Sequence, residues 1–333
     1  MTRLRSSLLA LVAILLIAGS AWYILSRPDE TIVPDYPQRL ETVTVAQVGE
    51  LFVYMPLYYA ADRGYFSRHG LDVRFVTSGG DERSVAAVVA GAADLGVGDP
   101  TFAAIASERG QPVRVVASVL NGVPFWGVAR DPSIPTITTP AGLRGHTIAT
   151  FPSPSTAYTL QARMFREGGL QPSIREAAFG SLLPLLDRGA VDIALELEPN
   201  VSTEVAQGGH VVYSLAERYP DFTMTGVTVT SHTITARPEM VRAFVAALDE
   251  AERAAHANPT DAIAVARQRF PTVQPAIVDA AMRRMLASRA FPPGATVSDV
   301  GWRQAIGLRI DSGDLRSATS GDGVVDNRFI PPR

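Results

Sequence analysis

Residues 91–100 read GAADLGVGDP, and residues 189–199 read GAVDIALELEP. Both segments begin with Gly-Ala, reach an Asp after one further residue, continue through a short apolar run and end in an acid followed by Pro. Gly ends helices because it enters the left-handed conformation at little cost, and Pro is tolerated where a helix begins. The repeated segment therefore predicts a helix-strand-helix junction in each half of the chain, and with it two similar α/β lobes.

Strands and helices alternate along the rest of the chain. Short β-branched or apolar runs are separated by segments with apolar residues at helical spacing, among them a helix over 56–70 and a helix with Asp81 as its N-cap. This alternation is typical of parallel sheets with helices on both faces, which bind ligands at the carboxyl ends of their strands. The predicted strands are 43–48, 71–80, 93–98, 113–119, 146–151, 173–179, 191–197, 210–215 and 226–234.

The composition excludes several classes of function. The chain has 333 residues, a net charge of −3 and no extended basic segment, which argues against nucleic-acid binding. It has no cysteine, so disulfides, thiolate chemistry and cysteine-ligated metals are excluded. All 30 residues counted as Lys or Arg are Arg, so no lysine can form a Schiff base with pyridoxal phosphate.

Motifs of catalysis or metal binding are also missing from the sequence. The five histidines show neither i,i+4 pairing nor HExxH spacing, and no G-x-S-x-G segment is present. The pair Arg283-Arg284 is interpreted as a solvated helix face. We therefore expect no catalytic residue, no metal and no cofactor.

The N-terminal segment predicts export. Arg3 and Arg5 precede an uncharged run from Leu8 to Leu25, a length that fits either a signal peptide or a minimal membrane anchor. Residues 1–26 are therefore predicted to be one or the other, and the Pro-rich residues 27–41 a linker. Both alternatives place the remainder of the chain in the periplasm, either secreted or tethered to the inner membrane.

Several segments resemble one known family. MPLYYAADRGYFSRHGLDVRFVTSGG (55–80) followed by VAAVVAGAADLGVGDP (85–100) is similar to the substrate-binding proteins of ABC importers. The similarity is to the nitrate, sulfonate, taurine and thiamine-pyrimidine-precursor group, and it extends over about residues 43–330. It implies a type II periplasmic binding fold, with two α/β lobes, a double-crossover hinge and a ligand cleft between the lobes.

The resemblance also implies how the chain divides between the lobes. Residues 42–127 and 228–333 would form the first lobe, and residues 128–227 the second. The two hinge crossovers would lie near 125–131 and 226–231.

Candidate ligand-binding residues follow predicted strand ends. Aromatic rings can hold a planar group, glycines allow close approach of the backbone, and hydroxyls at a helix N-terminus favour an anion. Carboxylates instead favour N–H donors or positive charge. For each of these residues a structural role remains the alternative, which is core packing, a plain turn or a helix cap. The candidates are Phe52, Tyr54, Gly79, Gly80, Asp99, Thr101, Trp126, Ser153, Ser155, Thr156, Glu196, Glu198 and Asn200.

The two acids Glu196 and Glu198 weigh against nitrate or a bare sulfonate, unless Arg130 or Arg144 offsets their charge. The predicted ligand stays a small organic molecule, either sulfonate- or taurine-like or a heterocycle like the thiamine pyrimidine.

The predicted function is transport without catalysis. A periplasmic, monomeric solute-binding protein would deliver its small-molecule ligand to an ABC permease in the inner membrane. A membrane-anchored sensory ligand-binding module is the alternative. Thiamine-pyrimidine synthases resemble the same family, but their chemistry relies on a lysine and a cysteine-rich segment that this chain does not have.

Overall fold

The computed structural model describes residues 39–288, 290–317 and 321–332. The signal-peptide and anchor predictions, and nearly all of the predicted linker, fall on residues outside these ranges. Within them, we find no helix with the length and apolarity that a membrane crossing requires.

The strands agree closely with the predicted pattern. In the described ranges they are β1 (Glu41–Gln47), β2 (Leu71–Thr77), β3 (Leu95–Gly98), β4 (Val113–Asn121), β5 (Trp126–Ala129), β6 (Ile148–Thr150), β7 (Ile174–Glu176), β8 (Ile193–Glu196), β9 (His210–Ser214) and β10 (Thr223–Thr230). Only β5 was not predicted, since it is a short strand between a Pro and a charged turn.

Helices cover both sheets. They are α1 (Met55–Asp62), α2 (Tyr65–Arg68), α3 (Asp81–Val89), α4 (Thr101–Glu108), α5 (Thr156–Glu167), α6 (Leu182–Asp187), α7 (Asn200–Ala206), α8 (Leu215–Arg218), α9 (Ser231–Ala236), α10 (Pro238–Ala257), α11 (Pro259–Arg269), α12 (Pro275–Ala287) and α13 (Asp299–Asp311). Within the described ranges, 3-10 turns are formed by Phe52–Tyr54, Pro140–Leu143 and Asn327–Phe329.

The two sheets share one topology. The first has the order β2-β1-β3-β10-β4, and the second has the order β7-β6-β8-β5-β9. In each sheet three parallel strands are followed by one antiparallel strand that comes from the other half of the chain, β10 in the first and β5 in the second. This exchange of strands builds two lobes joined by two crossovers, as the resemblance implied.

The crossovers lie earlier in the chain than predicted. Trp126 already pairs with Glu196 in the second sheet, and Thr223 already pairs with Asn121 in the first. The chain therefore passes between the sheets at 122–125 and returns at 219–222. The lobe boundaries expected after residues 127 and 227 therefore fall inside β5 and β10. These residues belong to the sheet in which they form hydrogen bonds, and their partner strands are distant in sequence.

The repeated segment forms the predicted junction in both lobes. Gly91 and Gly189 have φ angles of +71° and +68°, the left-handed conformation that ends a helix. The carboxylates of Asp94 and Asp192 each accept a backbone N–H from the neighbouring strand segment, from Thr44 in the middle of β1 at 2.8 Å and from Thr147 just before β6 at 2.6 Å. The Asp of the repeat therefore fixes the register of the strand that follows.

Two local predictions were wrong. The helix expected over 56–70 is broken into α1 and α2 at Gly64, which has a φ of +70°. The strand expected over 226–234 ends at Thr230, whose hydroxyl caps α9 by accepting the Thr233 N–H at 3.0 Å. A β-branched run thus enters a helix because a local hydroxyl satisfies the helix N-terminus.

A buried acid lies in the helical layer of the first lobe. Glu252 on α10 is 1 % exposed, and both of its carboxylate oxygens lack a hydrogen-bond partner among the described residues. It adjoins a small space lined by Met55, Met282 and Phe291. Burial, and next the charge of Asp249, raises the pKa of Glu252 well above its ordinary value. Burial without a hydrogen-bond partner in the described part of the chain therefore favours the protonated form of this acid in the folded protein.

We predict that E252M stabilises the fold more at pH 8 than at pH 5. The unfolded chain releases the Glu252 proton above about pH 4.3 while the folded chain keeps it, so wild-type stability falls as the pH rises through this window. The variant avoids that loss, and its advantage in urea unfolding should grow by about 1 kcal/mol or more between the two pH values.

The matched control is E239M, since Glu239 lies on the same helix with a side chain that is 84 % exposed. Its effect should be the same at both pH values. An E252M effect that is equally independent of pH would contradict the protonated state.

Candidate ligand-binding site between the lobes

A cavity of about 440 Å³ lies between the lobes. Its walls come from the carboxyl ends of β1 and β3, the loops after β6 and β7, the first crossover and the start of β10. The volume lies within the range of about 300–1,000 Å³ that is usual for small-molecule sites. The polar side chains at the cavity are Tyr54, Asp81, Asp99, Ser155, Thr156 and Thr225.

One wall of the cavity is aromatic. Phe151 and Phe179 stack with ring centroids 5.9 Å apart and an interplanar angle of 19°, and Phe125 packs against Phe151 at 5.9 Å. Phe179 is 55 % exposed although it is a large apolar side chain. An exposed aromatic ring beside an apolar cavity offers a face on which a flat ligand can stack.

A buried arginine joins the two lobes through Asp99 and Thr156, which line this cavity. Arg309 on α13 is 1 % exposed, and its Nη2 donates to Asp99 Oδ2 at 2.7 Å. Its Nε donates to Thr101 Oγ1 at 2.9 Å, and its Nη1 donates to the Pro154 carbonyl at 2.7 Å. Thr156 Oγ1 donates to Asp99 Oδ2 at 2.6 Å. Asp99 and Thr101 belong to the first lobe, Pro154 and Thr156 to the second; we call these five residues the Arg309 cluster.

The Arg309 cluster leaves Asp99 with little capacity for a ligand. Thr101 occupies Asp99 Oδ1 through both its N–H and its hydroxyl, and Arg309 and Thr156 occupy Oδ2. The charge of Asp99 is balanced by Arg309 within the protein. No Arg is among the residues that line the cavity in the described part of the chain.

Asp81 is a second acid at the cavity, and sequence reasoning missed it as a ligand residue. The sequence predicted it as the N-cap of α3, but the helix begins at Asp81 itself, after Gly80. Its Oδ1 instead accepts the Asp99 N–H at 2.8 Å. Burial, and next the charge of Asp99, raises the pKa of Asp81 to about 6. The available signal was its place immediately after the carboxyl end of a parallel strand.

Four of the predicted ligand residues line the cavity. They are Tyr54, Asp99, Ser155 and Thr156. Burial, and next the charge of Asp81, raises the pKa of Tyr54 well above its ordinary value, so its hydroxyl stays protonated. Ser155 is the N-cap of α5, and its hydroxyl accepts the Tyr158 N–H at 3.3 Å.

The other predicted residues do not line the cavity, and each has a structural role. Phe52 packs against Phe270 in the core at 5.2 Å, and the Gly79 N–H donates to the Val48 carbonyl at 3.0 Å. The backbone N–H of the exposed Ser153 donates to the Glu176 carboxylate. The full set outside the cavity is Phe52, Gly79, Gly80, Thr101, Trp126, Ser153, Glu196, Glu198 and Asn200.

Glu196 and Glu198 are both buried away from the cavity. Glu198 Oε1 accepts from Arg284 Nε at 2.6 Å, so Arg284 does not belong to a purely solvated helix face as predicted. Burial raises the pKa of Glu196 to about 7. Arg130, considered as a partner for these acids, instead pairs with Glu204 at 2.7 Å.

The comparisons with known proteins agree with this architecture. A family model described as NMT1/THI5 like matches residues 52–262. The chain belongs to this family. A riboflavin-binding protein, RibY from Chloroflexus aurantiacus, is 25 % identical over 306 residues, which are 88 % of this chain and 85 % of that protein.

Solved structures show the same fold. The alkanesulfonate-binding protein SsuA from Xanthomonas axonopodis pv. citri, bound to MOPS, is 16 % identical with a TM-score of 0.66, over 86 % of this chain and 99 % of that one. The periplasmic nitrate-binding protein NrtA from Synechocystis PCC 6803 is 15 % identical with a TM-score of 0.66, over 87 % of each chain. The predicted periplasmic binding fold is thereby confirmed.

We predict that R309Q lowers the free energy of unfolding by about 3–5 kcal/mol, because it leaves Asp99 buried without its counter-charge. R328Q is the matched control, since Arg328 pairs with Asp326 while remaining 77 % exposed. Its effect should stay within about 0.5 kcal/mol in the same urea titration. Equal losses in the two variants would show that the Arg309 cluster does not stabilise the fold.

Proposed function

We propose that this protein is an exported solute-binding protein of an ABC importer and that its ligand is a neutral, flat, aromatic heterocycle. The observation that carries the proposal is the interlobe cavity, which has an aromatic wall and no arginine among its described lining residues. The family and the fold of its relatives support the importer role.

The chemistry of the cavity favours a heterocycle over the anionic ligands considered from the sequence. A sulfonate or nitrate would meet the carboxyl group of Asp81 with no free cation among the described lining residues, since Arg309 is already paired with Asp99. Burying an unpaired charge costs several kcal/mol, about what a small ligand gains in total. The name of RibY, a riboflavin-binding protein, supports a ligand of the flavin class.

The mechanism follows from the two crossovers. Residues 122–125 and 219–222 are the peptide connections between the sheets, so a rotation of one lobe against the other is absorbed there. A ligand that contacts both lobes shifts this equilibrium by its differential affinity for the closed form. The importer's permease then recognises the closed, loaded protein. No observation in the described residues or the comparisons favours the sensory alternative.

Titration calorimetry tests the proposed ligand class. Riboflavin, 4-amino-5-hydroxymethyl-2-methylpyrimidine, taurine and nitrate are each titrated into the purified protein. We expect micromolar or tighter binding, about −8 kcal/mol, for a heterocycle and no measurable heat from the zwitterion taurine or from nitrate. Tight binding of taurine or nitrate, or failure of every heterocycle, would contradict the proposal.

We predict that F179A weakens heterocycle binding about 5- to 100-fold, because a stacked ring contributes about 1–3 kcal/mol. Since Phe179 is 55 % exposed, its loss should leave the free energy of unfolding nearly unchanged. V300A is the control, because Val300 is an exposed apolar residue outside the cavity. In a fluorescence titration, quenching of riboflavin by F179A should need a higher protein concentration than quenching by V300A. Equal affinities for the two variants would exclude the stacking role.

A further inference from the structure

Two kinds of polar group in the cavity are not used by the protein itself. On the first lobe, Asp81 Oδ1 accepts the Asp99 N–H, while Oδ2 has no partner among the described residues. On the second lobe, the Ser155 hydroxyl caps α5 by accepting the Tyr158 N–H. The N–H groups of Thr156 and Ala157, in the same first turn, have no acceptor within the described ranges. One lobe thus offers a hydrogen-bond acceptor and the other offers donors.

Asp99 holds these groups next to each other. Its N–H donates to Asp81, and its Oδ2 accepts from Thr156 Oγ1. The free acceptor and the free donors therefore flank one side chain across the boundary between the lobes. Because Arg309 holds that side chain in place, the arrangement exists before a ligand binds.

A ligand edge that satisfies both groups has an N–H adjacent to a carbonyl. The carboxylate accepts the N–H, and the first turn of a helix of 12 residues donates to the carbonyl oxygen. We propose that Asp81 determines the specificity of this site by accepting the ring N–H of a cyclic amide or imide. This inference rests on the proposed function and narrows it.

The proposal separates ligands that share size and flatness. The dioxopyrimidine ring of a flavin has an N–H between two carbonyls, whereas an aminopyrimidine of the thiamine type has no ring carbonyl. A ligand without the N–H leaves a desolvated acceptor unpaired, which is the most effective way to reject a close analogue. We therefore expect the N–H of the flavin's dioxopyrimidine ring to point toward Asp81 on the first lobe. The remainder of the ring system would stack on the aromatic wall.

Two comparisons with riboflavin test the proposal. D81N retains the oxygen that accepts the Asp99 N–H and replaces the free oxygen by an NH₂ donor. We expect its affinity for riboflavin to fall at least tenfold, with an unchanged melting temperature. E82Q is the control, because Glu82 is the exposed neighbour on the same helix turn and its removal changes the net charge equally. Its affinity should match that of the wild type.

The second comparison does not depend on any variant. The wild-type protein should bind riboflavin at least tenfold more tightly than 3-methylriboflavin, in which the donor N–H is blocked. Equal affinities for these two compounds, or an unchanged affinity in D81N, would overturn the role of Asp81 while the proposed function stands. If only the aminopyrimidine binds, the role of Asp81 is likewise overturned. If no heterocycle binds, both proposals fail.

Discussion

The buried ion pair between Arg309 and Asp99 is the interaction on which the rest of the structure depends. The two residues are 210 positions apart in the sequence, and Arg309 also donates to the Pro154 carbonyl of the second lobe. A buried arginine is tolerated only when its donors are satisfied, so the Arg309 cluster stabilises the arrangement of α13 and the two lobes that this structure shows. The ion pair also removes the charge of Asp99 from the cavity, which leaves Asp81 as the acid with a free oxygen.

The same constraint underlies the ligand preference that we propose for this chain. Relatives with this architecture bind a sulfonate or nitrate, as their names state. In this chain Arg309 is already paired with the carboxylate of Asp99, and one wall of the cavity is built from Phe151 and Phe179. An apolar wall with one free acceptor selects for flat ligands that carry N–H groups rather than for anions.

The fold could be predicted from the sequence because its signals are local. Gly91 and Gly189 end helices through their own backbone conformation, and the repeated Asp follows them at a fixed spacing. β5 escaped prediction because it is defined only by its pairing to β8 and β9, which are distant in sequence.

The site could be predicted only in part, because its contacts are distant in sequence. Asp is a residue type typical of N-caps, and nothing near Asp81 in the sequence indicates that its carboxylate accepts the N–H of Asp99. The alternation of β8 places Glu196 on one face without saying which face meets the cavity. Phe179 was predicted as the last residue of a strand over 173–179, but β7 ends at Glu176 and Phe179 lies in the loop that follows. These residues are brought together by tertiary packing, which local patterns in a single sequence do not reveal.

A crystal structure of the protein with riboflavin tests the central claim most directly. The account predicts the ring system between the lobes, stacked on the aromatic wall, with its N–H within hydrogen-bonding distance of Asp81 and the pair of Arg309 with Asp99 unbroken. A ligand seated elsewhere, or an Arg309 that leaves Asp99 to contact the ligand, would contradict it.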